Sequence, residues 1–244
     1  MDPKKRKLQK TVFPLKYSKQ FNPALEYTHT FHTFISKFKK LNEDNKEHLI
    51  TYPEDNVHNT LYHEAIKYTD REINAIDVGC RDGEFTRYLT WNFNHVYCYD
   101  YRYRVQFPMN INLSKVTHYQ CAVGKEISQE YASGRGELRN SVKDQKWINK
   151  DSIRIYPLDY FKLKDINLIK VDVDGMDKEV IEGAVEIIKK CKPVIVIEEI
   201  ILEDGTINHT GVEFIKSLGY KTVHIKQSNP NHKDYILVHN NNES

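Results

Sequence analysis

Ile76-Asp77-Val78-Gly79-Cys80-Arg81-Asp82-Gly83 is the stretch that decides the fold of this 244-residue chain. A β-branched run, Ile73–Val78, carries an acid near its end, turns through two glycines and enters a helical pattern at Glu84. Glycine permits the positive φ and close backbone approach that a tight strand-to-helix turn requires. In an open α/β sheet such a turn sits at the carboxyl ends of the strands, where ligands bind.

Working outward, short β-branched runs alternate with helical patterns. The runs are Ile73–Val78, His95–Asp100, Val116–Val123, Ile153–Pro157, Leu168–Val173, Pro193–Glu198, Lys221–Ile225 and Tyr235–Val238. Helical stretches lie at Glu84–Asn92, Lys178–Cys191 and Gly211–Leu218. This alternation predicts an α/β, Rossmann-like fold: a mostly parallel sheet with helices on both faces. The Asn229-Pro230-Asn231 turn predicts that the last strand runs antiparallel to its predecessor. Upstream, Pro23–Leu41 and Val57–Asp70 read as helices. The expected organisation is a basic tail and helical extension over 1–56, a catalytic domain over 57–239 and a polar tail over 240–244.

Composition narrows the class. Thirty-six basic and 34 acidic residues leave a net charge of +2, which excludes a strongly basic nucleic-acid coat protein but not a basic patch. Lys4-Lys5-Arg6-Lys7 reads as a solvated tail, with a nuclear address as the alternative. The four cysteines (Cys80, Cys98, Cys121, Cys191) form no CxxC pair, so neither a zinc ribbon nor a redox motif is expected. Cys98 and Cys121 read as small buried hydrophobes. The longest apolar run, near Val194–Ile197, is too short to span a bilayer. A soluble, cytoplasmic protein is expected, its oligomeric state open.

The glycines at 79 and 83 lack the GxG pair of a dinucleotide site. Asp77 and Asp82 would repel a pyrophosphate and suit an ammonium or sulfonium. Asp100 ends the second run, where an acid roughly 20 residues past the glycines accepts hydrogen bonds from ribose hydroxyls. Ordinary turn glycines and a strand-end cap are the alternative. The combination favours S-adenosylmethionine.

Asp77-Val78-Gly79-Cys80-Arg81-Asp82-Gly83-Glu84-Phe85 resembles motif I of class I S-adenosylmethionine-dependent methyltransferases. Ile169-Lys170-Val171-Asp172-Val173-Asp174-Gly175, then Glu179 to Gly183-Ala184, then Lys192-Pro193 to Glu198-Glu199, resemble successive blocks of the FkbM family. The likeness covers about residues 57–239 and departs at Cys80-Arg81, where members commonly have Ala-Asn. It also departs at Asp100 and Asp174, where they usually have Glu. It implies a seven-stranded sheet and a methyltransferase acting on a hydroxyl of a sugar or other small polar metabolite. It implies Asp77 and Gly79 facing the methionine end, Asp100 on the ribose, and Gln120, Cys121 and Ala122 beside the adenine; Cys80 and Gly83 complete the cofactor-binding candidates.

The acceptor side has three readings. Asp172 or Asp174 orients the acceptor or takes its proton; or Asp172, Asp174 and Glu198 or Glu199 hold a divalent cation; or Asp174-Gly175 is a turn and Glu199 is solvated. The catalytic candidates are therefore Asp172, Asp174 and Glu199. Lys170 reads as edge-facing or snorkelling. A catalytic lysine, as in 2′-O-ribose methyltransferases, is the weaker alternative, because the second lysine of that constellation is missing from Val194–Glu199. Lys125–Ser152 reads as a long polar loop whose Arg135, Arg139, Lys143 and Lys146 would meet an anionic acceptor. Together with the basic N-terminus it motivates a nucleic-acid methyltransferase as an alternative. A binding subunit without activity is a second alternative. His118, His209 and His224 read as surface or edge histidines.

Overall fold

Ile76 and Val78 are buried on one face of the first strand and Ala75 on the other, so this strand is covered on both sides. That double burial is the mark of a central strand in a helix-sandwiched sheet. A computed structural model of the chain describes residues 57–69, 73–102, 107–132, 138–139, 152–173, 175–200, 210–229 and 231–241. Its strands are β1 (Asn74–Val78), β2 (Val96–Tyr99), β3 (Val116–Tyr119), β4 (Ala122–Val123), β5 (Ser128–Ala132), β6 (Leu138–Arg139), β7 (Ser152–Tyr156), β8 (Ile166–Val171), β9 (Val194–Ile200), β10 (Tyr220–Asn229) and β11 (His232–His239). Its α-helices are α1 (Val57–Ala65), α2 (Glu84–Asn92), α3 (Phe107–Asn110), α4 (Asp177–Glu182), α5 (Val185–Cys191) and α6 (Gly211–Ser217).

Seven strands form the main sheet in the order β10-β11-β9-β8-β1-β2-β3. β9, β8, β1, β2 and β3 pair in parallel. β11 is antiparallel to both β9 and β10, which fixes the last strand as the reversed one. The chain switches direction across the sheet between β1 and β8, so the carboxyl ends of these two neighbours form the topological switch point.

Each face carries its own core. Ile76, Val78, Ile169, Val171, Ile195 and Ile197 pack with Val180, Ile181, Ile187, Ile188, Val212 and Ile215 of α4–α6. Ala75, Leu168, Val194, Val196, Ile236 and Val238 pack with Leu61 and Tyr62 of α1 and Phe85 and Leu89 of α2. Burying one such large apolar side chain contributes about 1.5–3 kcal/mol, so the doubly covered centre anchors the edges.

Three expectations are corrected. The run Val116–Val123 is broken at Gln120-Cys121: β3 stays in the main sheet, while β4 joins a second sheet of order β4-β7-β5-β6. The run near Ile153–Pro157 becomes β7 of that second sheet, and β5 and β6 lie within the stretch read as a loop over Lys125–Ser152. The helix read over Lys178–Cys191 is two helices, α4 and α5, broken at Gly183-Ala184. The break is held by Asp159, whose carboxylate accepts from Glu186 N and Ile187 N at 2.9 and 3.0 Å. Its amide also donates to the Gly183 carbonyl at 3.0 Å. Such caps satisfy the free N–H groups of a helix start. The proposed Pro23–Leu41 helix and the basic tail lie outside the described residues.

A Cβ on Gly183 would overlap the carbonyl oxygen of Gly124, so the helix pair and β4 meet where no side chain fits. Overpacking costs about 1–3 kcal/mol or more. Urea unfolding of Gly183→Ala is expected to show a net loss of about 1–2 kcal/mol; a gain would mean the approach is looser than described.

Candidate active site

The strand registers arrange the switch point in two rows on the face that α1 and α2 cover. Cys98, Asp77, Lys170, Val196 and Ile236 are aligned across β2, β1, β8, β9 and β11. One step further toward the carboxyl ends lie Asp100, Gly79, Asp172, Glu198 and Asp234. The ladder continues into this outer row through Gly79 N to Tyr99 O (2.9 Å), Asp172 N to Val78 O (3.2 Å) and the Glu198–Asp234 pair. Period-two alternation along each strand puts these residues on one face.

The turn after β1 is built by backbone conformation. Gly79, Arg81 and Gly83 all have positive φ, at 76°, 44° and 85°. A Cβ on Gly79 would overlap the Asp172 carbonyl oxygen. Gly79 is therefore required for β8 to close on the turn, beyond any role with a ligand. Asp100 holds the turn from the other side, with Oδ2 accepting from Arg81 N at 3.0 Å and Oδ1 from Arg102 N at 2.8 Å. Among the described residues, Asp82 Oδ1 and Asp77 Oδ1 are buried carboxylate oxygens without a hydrogen-bond partner, the latter facing the Lys170 ammonium at 3.5 Å.

Beneath the turn lies a buried ion cluster. Asp77 is fully buried, and Thr86 Oγ1 donates to its Oδ2 at 2.6 Å. Lys170 Nζ lies 3.5 Å from Asp77 Oδ1 and 3.1 Å from Asp172 Oδ2, and donates to the Gly79 carbonyl at 3.3 Å. Burial by itself would lower the Lys170 pKa, but Asp172 and Asp77 outweigh it and drive the net shift upward. Lys170 therefore stays protonated and cannot accept a proton. This corrects the edge-facing or snorkelling reading of Lys170, which is a buried cation in a central strand, turned inward beside Asp172.

The other sequence candidates separate by location. Cys80 is buried with its Sγ 3.7 Å from His118 Nε2. Burial, then Cys98, Asp77 and Asp100, push its thiol pKa well up. Cys121 is buried and pushed up to about 12 by burial, and Ala122 is buried beside it in the chain. Both cysteines are neutral packing groups near pH 7. Gln120 is exposed at the end of β3, its Nε2 3.5 Å from the Tyr101 carbonyl. His118, read as a surface or edge histidine, lies on the edge strand β3 but is buried against the Phe107 ring at 4.3 Å, and burial lowers its pKa to about 4.

On the acceptor side, Asp172 stands at the rim, joined to Lys170. Glu199 points to the opposite face, where its Oε1 accepts from Val212 N at 3.2 Å at the start of α6. It is buried, not solvated. Its neighbour Glu198 shares the Asp172 face, and its Oε1 lies 2.9 Å from His232 Nδ1. Asp177 was not singled out from sequence; it is buried and accepts from Val173 N (3.1 Å) and Gly175 N (3.3 Å). Burial and the charge of Asp172 push it up to about 7. Asp174, Arg135, Lys143, Lys146 and His209 lie outside the described residues, as does the side chain of Arg139. Among the described residues no three His, Cys, Asp or Glu side chains gather as a metal-holding group. No helix among them is long and apolar enough to cross a membrane.

A seven-stranded sheet with one reversed strand, a glycine turn at the switch point and acids along the carboxyl edge define a class I, Rossmann-like methyltransferase fold. The methyltransferase FkbM domain model matches residues 28–222, and the chain belongs to that family. The match begins well before residue 57, where the sequence resemblance starts. No curated protein matches the chain. Among solved structures, the FkbM methyltransferase of Methylobacillus flagellatus KT is 18% identical, with 68% of this chain and 44% of that one covered and a TM-score of 0.48. The chain thus spans less than half the length of that protein. An rRNA methylase from Streptococcus thermophilus is 12% identical over 74% of this chain and 95% of its own, at a TM-score of 0.46. The N-methyltransferase NodS from Bradyrhizobium japonicum WM9 is 11% identical over 77% and 99%, at 0.45.

Removing the cation from a buried ion cluster leaves its acids uncompensated, at a cost of about 3–5 kcal/mol. Lys170→Met should lose about that much in urea unfolding, and adding Asp77→Asn to it should recover a substantial part. Equal stability of Lys170→Met and the parent would show that the cluster is not held as described.

Proposed function

We propose that the chain transfers the methyl group of S-adenosylmethionine to a hydroxyl on a sugar or other small polar metabolite. The observation that carries this reading is the outer row, in which Asp100, the Gly79 turn, Asp172 and Glu198 follow one another across four adjacent strands. Strands are about 4.8 Å apart, so the row spans about 14 Å from Asp100 to Glu198, enough for donor and acceptor side by side.

The residues divide along that row. Asp100, its carboxylate oriented by two backbone amides, would accept hydrogen bonds from the ribose hydroxyls. Gly79, Cys80 and Gly83 would let the turn approach the methionine moiety, and Gln120, Cys121 and Ala122 would flank the adenine. Asp77 would act through Lys170, since its carboxylate is buried beneath the turn. S-adenosylmethionine supplies an electrophilic methyl, so the protein's task is mostly alignment and exclusion of water. Asp172 or Asp174 would orient the acceptor. Glu199 would fix α6 behind the site rather than meet the acceptor. We assign the reaction to the cytoplasm, where four unpaired cysteines persist without difficulty.

Isothermal titration should show S-adenosylmethionine binding well below millimolar; no binding up to that concentration would remove this reading. Asp100→Ala should weaken binding about ten- to a hundredfold, the worth of a charge-assisted hydrogen bond.

A further inference from the structure

We infer that Glu198, oriented by His232, is the group that takes the proton from the acceptor hydroxyl. This deepens the reading above and rests on it.

The argument starts from topology. β9 runs parallel and ends at the carboxyl edge, whereas β11 runs antiparallel and begins there. Glu198 faces Asp234 across this pair, and His232, two residues before Asp234, reaches back to Glu198. Residues 34 apart in sequence thus meet at the rim. Their side chains are 16% and 30% exposed, sheltered yet reachable by a ligand.

Four other acids near this edge are engaged. Asp77 and Asp172 face the Lys170 ammonium. Asp177 accepts from two backbone amides, and Glu199 caps α6. Glu198 keeps one carboxylate oxygen without a protein hydrogen bond among the described residues. The charged groups facing it are Asp172 at the end of β8, Asp177 on α4, and His232 and Asp234 on β11. Burial and then Asp172 push the Glu198 pKa up, the His232 hydrogen bond pulls it down and Asp234 pushes it up, to about 7. A base is most effective when its pKa lies near the working pH.

The step balances. A lone pair of the acceptor oxygen forms the new O–CH3 bond, and the C–S bonding pair goes to sulfur, turning the sulfonium into a thioether. The O–H proton passes to the Glu198 carboxylate and leaves to water after product release. His232 is a positioning residue, aiming the carboxylate through its second oxygen.

The full chain with S-adenosylmethionine is tested against hydroxyl probes, the methyl glycosides of common hexoses and adenosine, by S-adenosylhomocysteine formation. Glu198→Gln should cut turnover about a hundredfold or more while S-adenosylmethionine still binds. Parent turnover should rise with pH through about 7, because only the ionised carboxylate accepts a proton. His232→Gln removes the interaction that holds this pKa down, so the acidic limb should move to higher pH. Unchanged turnover in Glu198→Gln, or an unmoved limb in His232→Gln, overturns the assignment. Carbon-13 titration of the glutamate carboxyls, in the full chain without ligand, decides independently of any probe. A Glu198 midpoint near 7 that rises in His232→Gln supports it; a midpoint in the ordinary range near 4.3 overturns it. Calorimetry separates the two failures, since loss of cofactor binding removes the proposed function without touching this titration.

Discussion

The ammonium of Lys170, set between Asp77 and Asp172 and donating to the Gly79 carbonyl, is the interaction on which the site depends. It joins the inner and outer rows of the carboxyl edge. It ties β8 to the turn after β1 at the point where the sheet changes direction. A buried ion pair is weak evidence for net stability, because desolvation offsets the attraction. Its effect here is placement: one cation fixes two acids and one carbonyl, and the glycine turn has no side chain to oppose that closure.

From this cluster the chemistry fans out by strand. Toward β2, the turn meets Asp100, whose carboxylate is already oriented by two amides. Toward β9 and β11 the edge is acidic, and a histidine supplies the local hydrogen bond. The same face thus carries an amide-oriented carboxylate at one end and a carboxylate of raised pKa at the other. Fixed groups of this kind cost little reorganisation when a reaction draws on them.

Much of the fold was legible in the sequence because strand and helix periods differ. The glycine turn, the parallel core and the reversed last strand followed from patterning alone. The helix break at Gly183 was hidden because Lys178–Cys191 keeps an apolar helical period, and the cause is a remote capping acid, Asp159. The site was legible unevenly. Asp100 carries a spacing signal, but the choice between Glu198 and Glu199 does not. β9 reads Val-Ile-Val-Ile before its two acids and is buried on both faces, so no alternation reveals which acid faces the site. The parity of Lys170 in β8 was the available signal, since Lys170, Asp172 and the aligned Val196 and Glu198 share a face. His232 carried none, as its place follows only from the register of β11.

The most direct measurement is a crystal structure with S-adenosylhomocysteine bound. The account predicts the ribose hydroxyls on Asp100, the turn of Gly79 to Gly83 against the amino-acid moiety, and the sulfur facing the edge formed by Asp172 and Glu198. A ligand seated elsewhere, or one whose ribose leaves Asp100 untouched, would contradict it.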